Sequence, residues 1–169
     1  MRTAIVAILA SLLNLPAWSA DSDSLPRYTL KQPDPWTGTN IRSEVASGTM
    51  PFDKRYSELT AEQKGRLKSQ YERMGPEDEP PFPINGLGPI YKAIAAAQQK
   101  LLVEGTLSVA VEVNSLGEAV SVSVFQSSDP KMTQFVAAVL MKEPYKPALC
   151  GGSACTMQFP FRMNFQTRF

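Results

Sequence analysis

Leu107, Val109, Val111 and Val113 alternate with Ser108, Ala110, Glu112 and Asn114. A period of two places every apolar side chain on one face, so this stretch predicts a half-buried strand and excludes a helix. Val120, Val122 and Val124 repeat the pattern against Ser121, Ser123 and Phe125, after the turn sequence Asn114-Ser115-Leu116-Gly117-Glu118. Gly117 can take the positive φ that a tight hairpin requires. A third alternation closes the chain over Thr156–Phe165. Met157, Phe159, Phe161, Met163 and Phe165 point one way, and Gln158, Pro160, Arg162 and Asn164 point the other.

Two helices are predicted around these strands. Pro89 suits a first helical turn, and Ile90, Ala93, Ile94, Ala97 and Leu101 follow at helical spacing until Glu104-Gly105. Asp129-Pro130 reads as an N-cap followed by proline at the first helical position. Met132, Phe135, Val136, Val139 and Leu140 form that helix's stripe, and Pro144 stops it. The order α-β-β-α-β lets two helices cover one face of a three-stranded antiparallel sheet, a two-layer α+β fold. Residues 89–169 are the expected domain.

Residues 20–88 read as an N-terminal extension. Asp21 to Tyr56 carries Pro26, Pro33, Pro35 and Pro51 without periodicity and reads as an extended arm. Thr60-Ala61-Glu62-Gln63 fits a capping box, which opens a helix expected over Ala61 to Met74 with a thin apolar side of Leu67, Tyr71 and Met74. Gly75-Pro76 stops it. Glu77-Asp78-Glu79 with Pro80, Pro81 and Pro83 is a non-helical connector, and its acids read as a solvated turn. They lack the alternating spacing of a calcium loop.

The start of the chain suggests a compartment. Arg2 precedes an apolar run from Ala4 to Leu15, followed by Pro16-Ala17-Trp18-Ser19-Ala20. This is the layout of a secretory signal over 1–19 with cleavage after Ser19. A membrane anchor needs about 20 apolar residues, and Asn14 and Pro16 interrupt this run too early. No membrane insertion is expected once the signal is removed. Cys150 and Cys155 are even in number in an exported chain, which favours a disulfide. The flexible Gly151-Gly152-Ser153-Ala154 between them allows closure of a local turn worth about 2 kcal/mol in the chain-entropy picture.

Composition then narrows the chemistry. Seventeen Lys and Arg stand against sixteen Asp and Glu, and histidine is absent. Loss of the first nineteen residues removes Arg2 alone and leaves the charge balanced, which gives no footprint for nucleic acid. Without histidine there is no Ser-His-Asp or Cys-His catalysis and no imidazole metal ligand. Gly86-Leu87-Gly88 lacks a preceding strand and has Tyr91 where a dinucleotide loop needs its third glycine. Ser128-Asp129-Pro130-Lys131 matches S-x-x-K, but its partner motifs are absent. The acids Glu112, Glu118, Asp129 and Glu143 have turn, capping and surface duties and do not make a general acid/base pair. No cofactor, metal or catalytic residue is expected.

The C-terminal half resembles the C-terminal domain of TonB-type energy transducers. The resemblance rests on Pro89-Ile90-Tyr91-Lys92-Ala93, on Gly105 through Val113, on the Gly117 hairpin and on a second strand ending at Gln126-Ser127-Ser128. It continues with Tyr145-Lys146-Pro147-Ala148 and the closing Phe159-Pro160-Phe161-Arg162-Met163-Asn164-Phe165. It implies a periplasmic domain that binds a partner's extended peptide beside its last strand, main-chain hydrogen bonds giving affinity and alternate side chains selectivity. Pro160 is the physical check, because proline is tolerated in a sheet mainly at an edge, where it serves equally well simply to guard that edge against aggregation. Gln158, Pro160, Arg162 and Asn164 are therefore the candidate protein-binding residues, with Arg162 set to meet an acidic group.

The chain departs from that family in its cleavable first segment, its missing histidine and its short spacer. These departures point to a detached, non-enzymatic relative whose partner is a periplasmic or outer-membrane protein. Three rival readings stay open: an anchored energy transducer, a histidine-free enzyme on cell-wall or peptide substrates, and a homodimer paired through the same edge. The helix from Ala61 and the acidic connector are the chain's own candidates to cover that edge.

Overall fold

The computed structural model describes residues 28–30 (backbone), 41, 51 and 53–167. The signal reading of 1–19 and most of the arm lie outside the described residues. Strand β3 (Gly105–Val113) is the centre of the fold, flanked by β4 (Ala119–Gln126) and β8 (Met157–Phe165), both antiparallel to it. Its inward set is realised in full, with Leu107, Val109, Val111 and Val113 each at most 1% exposed, while Ala110 of the opposite set is buried as well. Helices α2 (Gly88–Leu101) and α3 (Pro130–Lys142) supply the opposing layer through Ile90, Ile94, Met132, Val136 and Leu140. This is the two-layer α+β arrangement expected from periodicity.

The arm adds a strand that period and composition did not reveal. Its β1 (Tyr28–Leu30) runs parallel to β4, giving the sheet order β1-β4-β3-β8. One edge of the antiparallel unit is thus closed by the chain itself.

The start of α3 follows the expected cap, with the Asp129 carboxylate accepting from the Met132 N–H at 2.8 Å. Tyr145 finishes its other end by donating its hydroxyl to the Leu140 carbonyl at 3.0 Å. The end of α2 differs from expectation. It stops at Leu101, with Leu102 in the left-handed region (φ 49°), three residues ahead of Gly105. The Gln98 amide explains how a leucine is held there, since it bonds both the N–H and the C=O of Val103. Leu101, the last residue of the helix, is exposed rather than part of the buried stripe.

Helix α1 (Ala61–Lys68) begins with the reciprocal Thr60–Gln63 box but is shorter than the expected span to Met74. Tyr71 is instead held in an isolated antiparallel bridge with Ile41. In β4, Val120 is the extra residue of a register shift, Ser121 standing opposite Glu112 and Ala119 opposite Val113, and it is 44% exposed rather than inward.

The proline-rich connector is non-helical, and it is also packed. Its β2 (Phe82–Pro83) pairs with β5 (Tyr145–Lys146), and Glu79 bridges to Leu149. Phe82 is fully buried and meets Phe159 edge-on at a ring distance of 6.2 Å. The acids also differ from a freely solvated turn. Glu79 pairs with Lys146 at 2.9 Å. Asp78 accepts from the N–H groups of Gly75 and Gly151, both at 2.7 Å, and these bonds hold its carboxyl below the ordinary aspartate value.

Gly151 belongs to the hairpin of β6 (Ala148–Cys150) and β7 (Ser153–Cys155), closed by the Cys150–Cys155 disulfide with Cα atoms 5.9 Å apart. Gly151 and Gly152 both have positive φ, as a two-residue I′ turn demands. The other hairpin is tied more tightly. Gly117 (φ 85°) gives its carbonyl to the Tyr145 N–H at 3.0 Å, and a Cβ built on it would lie 2.1 Å from the Tyr145 carbonyl oxygen. A Cβ on Gly151 would meet nothing within 4 Å. Gly117→Ala is therefore expected to lose about 2–4 kcal/mol from backbone strain and overpacking together, and Gly151→Ala about 1–2 kcal/mol from strain alone. Urea unfolding of the two variants checks the order, and equal losses would refute the contact at Tyr145.

Candidate interaction edge on the last strand

All nine residues of β8 pair in register with β3, from Met157 opposite Val113 to Phe165 opposite Gly105. In an antiparallel ladder a residue turns its N–H and C=O toward the same neighbour, and successive residues alternate sides. The side is set by Tyr71, whose hydroxyl donates to the Gln158 carbonyl at 2.8 Å. Gln158, Pro160, Arg162 and Asn164 therefore turn their main chain away from β3. Pro160 falls on this outward set, so its missing N–H removes nothing from the β3–β8 ladder.

The same four residues share one sheet face. Phe159, Phe161 and Phe165 bury their rings against the helices, whereas Gln158 and Pro160 are half-buried and Arg162 and Asn164 exposed. Across the ladder they stand beside Glu112, Ala110, Ser108 and Thr106 respectively. The structure thus brings together all four sequence-predicted residues on one ribbon. Among the described residues no strand pairs with their outer side, and Arg162 has no ion pair. The disulfide pair lies on a separate hairpin and contributes no group to this edge.

One residue essential to the edge is not recognisable as such from sequence. Tyr71 reads there as one member of a thin helical stripe. In the fold it is 3% exposed and packs with Ile41 and Ala110 on the sheet face opposite α2 and α3, with Met74, Phe125 and Met157 around them. Burial, with a smaller contribution from Tyr56, drives its phenol well above the ordinary tyrosine range, so it stays a donor. Tyr71 therefore covers the Gln158 end and leaves the Pro160–Asn164 stretch open among the described residues. Beside it the side-chain oxygen of Gln158 is buried without a hydrogen-bond partner. The only available signal for this role is an aromatic residue placed where a solvated helix has no use for one.

The four acids weighed for catalysis are dispersed in hydrogen-bonding duties. Asp129 caps α3, Glu118 accepts from the Asn114 side chain, Glu112 from Ser121, and Glu143 from Asn85. Among the described residues there is no cluster of three or more potential metal ligands, and no helix is long and apolar enough to cross a membrane. Compared with known proteins, the chain matches no family model, no curated protein and no solved structure.

Removing the Tyr71 hydroxyl isolates its role at the edge. Tyr71→Phe keeps the packing and leaves the Gln158 carbonyl without its donor, so a loss of about 1–2 kcal/mol is expected in urea unfolding. An unchanged midpoint would show that the hydroxyl does not anchor the strand.

Proposed function

We propose that this chain is an exported, non-enzymatic protein-interaction module that takes an extended segment of its partner as a further strand beside β8. The observation that carries the reading is the outward main chain of Pro160, Arg162 and Asn164, unpaired among the described residues. Strand addition uses such an edge directly: its N–H and C=O groups provide affinity, and the flanking side chains select. The exposed Arg162 favours a partner with an acidic side chain near the middle of its strand. Pro160 limits where that partner can place an acceptor.

The resemblance to TonB C-terminal domains supports this assignment, since that family docks peptides at the equivalent final strand. The Arg2–Ala20 layout supports delivery to the periplasm, where the partner would be a periplasmic or outer-membrane protein. N-terminal sequencing of the exported chain tests that step, with a mature start near Ala20 expected.

The edge itself is tested by proline substitution. Arg162→Pro removes an outward N–H while sparing the bonds to β3, as Pro160 already does. With a photocrosslinking side chain at position 164, Arg162→Pro is expected to abolish partner capture in the native compartment and to leave the circular dichroism unchanged. Capture that persists in a folded Arg162→Pro variant would reject strand addition at β8.

A further inference from the structure

A second candidate site lies where the chain segment before α1 meets β5. Here a cleft of about 330 Å³ is lined by residues that include Arg55, Tyr56, Lys64, Glu79, Ile84 and Lys146. That volume falls at the lower end of the range typical for small-ligand sites, about 300–1,000 Å³.

Its charges are unequally satisfied. Lys146 is fully engaged, with its ammonium 2.9 Å from the Glu79 carboxylate and donating to the Pro147 carbonyl at 3.0 Å. That pair cancels. Arg55 and Lys64 have no ion pair among the described residues, so the lining residues keep an excess of two positive charges, next to a Glu58 carboxylate engaged by the Arg55 main-chain N–H at 2.7 Å.

Tyr56 is the fixed wall between them. It is 5% exposed, and its ring carries the Lys64 ammonium at 5.0 Å and the Lys146 ammonium at 4.6 Å from the centroid. Burial and the nearby Glu79 push its phenol up to about 12, so it stays neutral and adds no negative charge. A cation resting on an aromatic face is weakly held when solvent reaches it, and Lys64 is free to turn toward an anion. Ile84 lines the cleft with an apolar side chain that is 46% exposed.

We propose that this cleft binds a small monocarboxylate bearing a compact aliphatic group. Lys64 and Arg55 hold the carboxylate, and Ile84 receives the aliphatic part. Glu79 is spent on Lys146, so the preference for such an acid over inorganic phosphate rests on Ile84, against which phosphate has no apolar part to place. The carboxylate can belong to a free organic acid or to the C-terminus of a peptide. This site stands independently of the reading of β8 and survives its failure.

The test is a titration of the ¹⁵N-labelled chain followed by amide shifts, using 4-methylpentanoate, its amide, N-acetyl-leucine and inorganic phosphate. Saturable shifts at Tyr56, Ser57 and Ile84 are expected with both carboxylates and not with the amide. Tighter binding of N-acetyl-leucine assigns the carboxylate to a peptide end, and tighter binding of 4-methylpentanoate to a free acid. Lys64→Gln and Arg55→Gln should each weaken binding about tenfold or more, and Lys92→Gln, on exposed α2 surface, should leave it unchanged. The proposal is overturned by equal binding of acid and amide, by no saturable shift, or by tighter binding of phosphate. Wild-type affinity in folded Lys64→Gln and Arg55→Gln variants would overturn it as well.

Discussion

The nine-residue ladder between β3 and β8 is the constraint on which the rest of this structure depends. It sets Phe159, Phe161 and Phe165 against α2 and α3, in the same layer as Leu107, Val109, Val111 and Val113. Burying side chains of this size contributes about 1.5–3 kcal/mol each, and a slip of one residue would turn every one of them to the opposite face. The register that secures the core therefore also decides which main-chain groups of β8 face outward. Packing and the candidate function are two consequences of one alternation.

A second set of contacts joins the N-terminal extension to that core. Phe82 and Tyr145 pack on Phe159 from the paired strands β2 and β5. Gly117 exchanges close contact with Tyr145, and Asp78 links the connector to the disulfide hairpin. Tyr71 then reaches the opposite face of the sheet. The extension closes the β4 edge with β1 and covers the Gln158 end of β8, leaving the Pro160–Asn164 stretch as the least occupied part of the sheet among the described residues.

Elements with a sustained period were legible in the amino-acid sequence: β3, β8, α2, α3 and the hairpin at Gly117. The candidate edge was legible too, because Pro160 is a local statement about a missing donor. Contacts between distant segments were not. β1 pairs through its main chain, which leaves no mark in side-chain pattern. β2, β5, β6 and β7 are too short for a period to register. The helix expected from Ala61 overruns its actual end because Tyr71 fits a helical spacing, while the place of that residue is decided by burial against Ala110 and Ile41. Leu102 shows the same limit at the end of α2, where a glutamine four residues earlier holds a leucine in a conformation usually left to glycine.

The central claim is that alternate residues of β8 turn their amides toward opposite neighbours, one set bonded and the other open. Residue-resolved hydrogen exchange of the free protein measures this directly. The account requires slow exchange at Phe161 and Met163, which bond to β3, and fast exchange at Arg162 and Asn164. Comparable protection at all four positions would mean that the outer side of β8 is already paired, and the proposed docking edge would not exist.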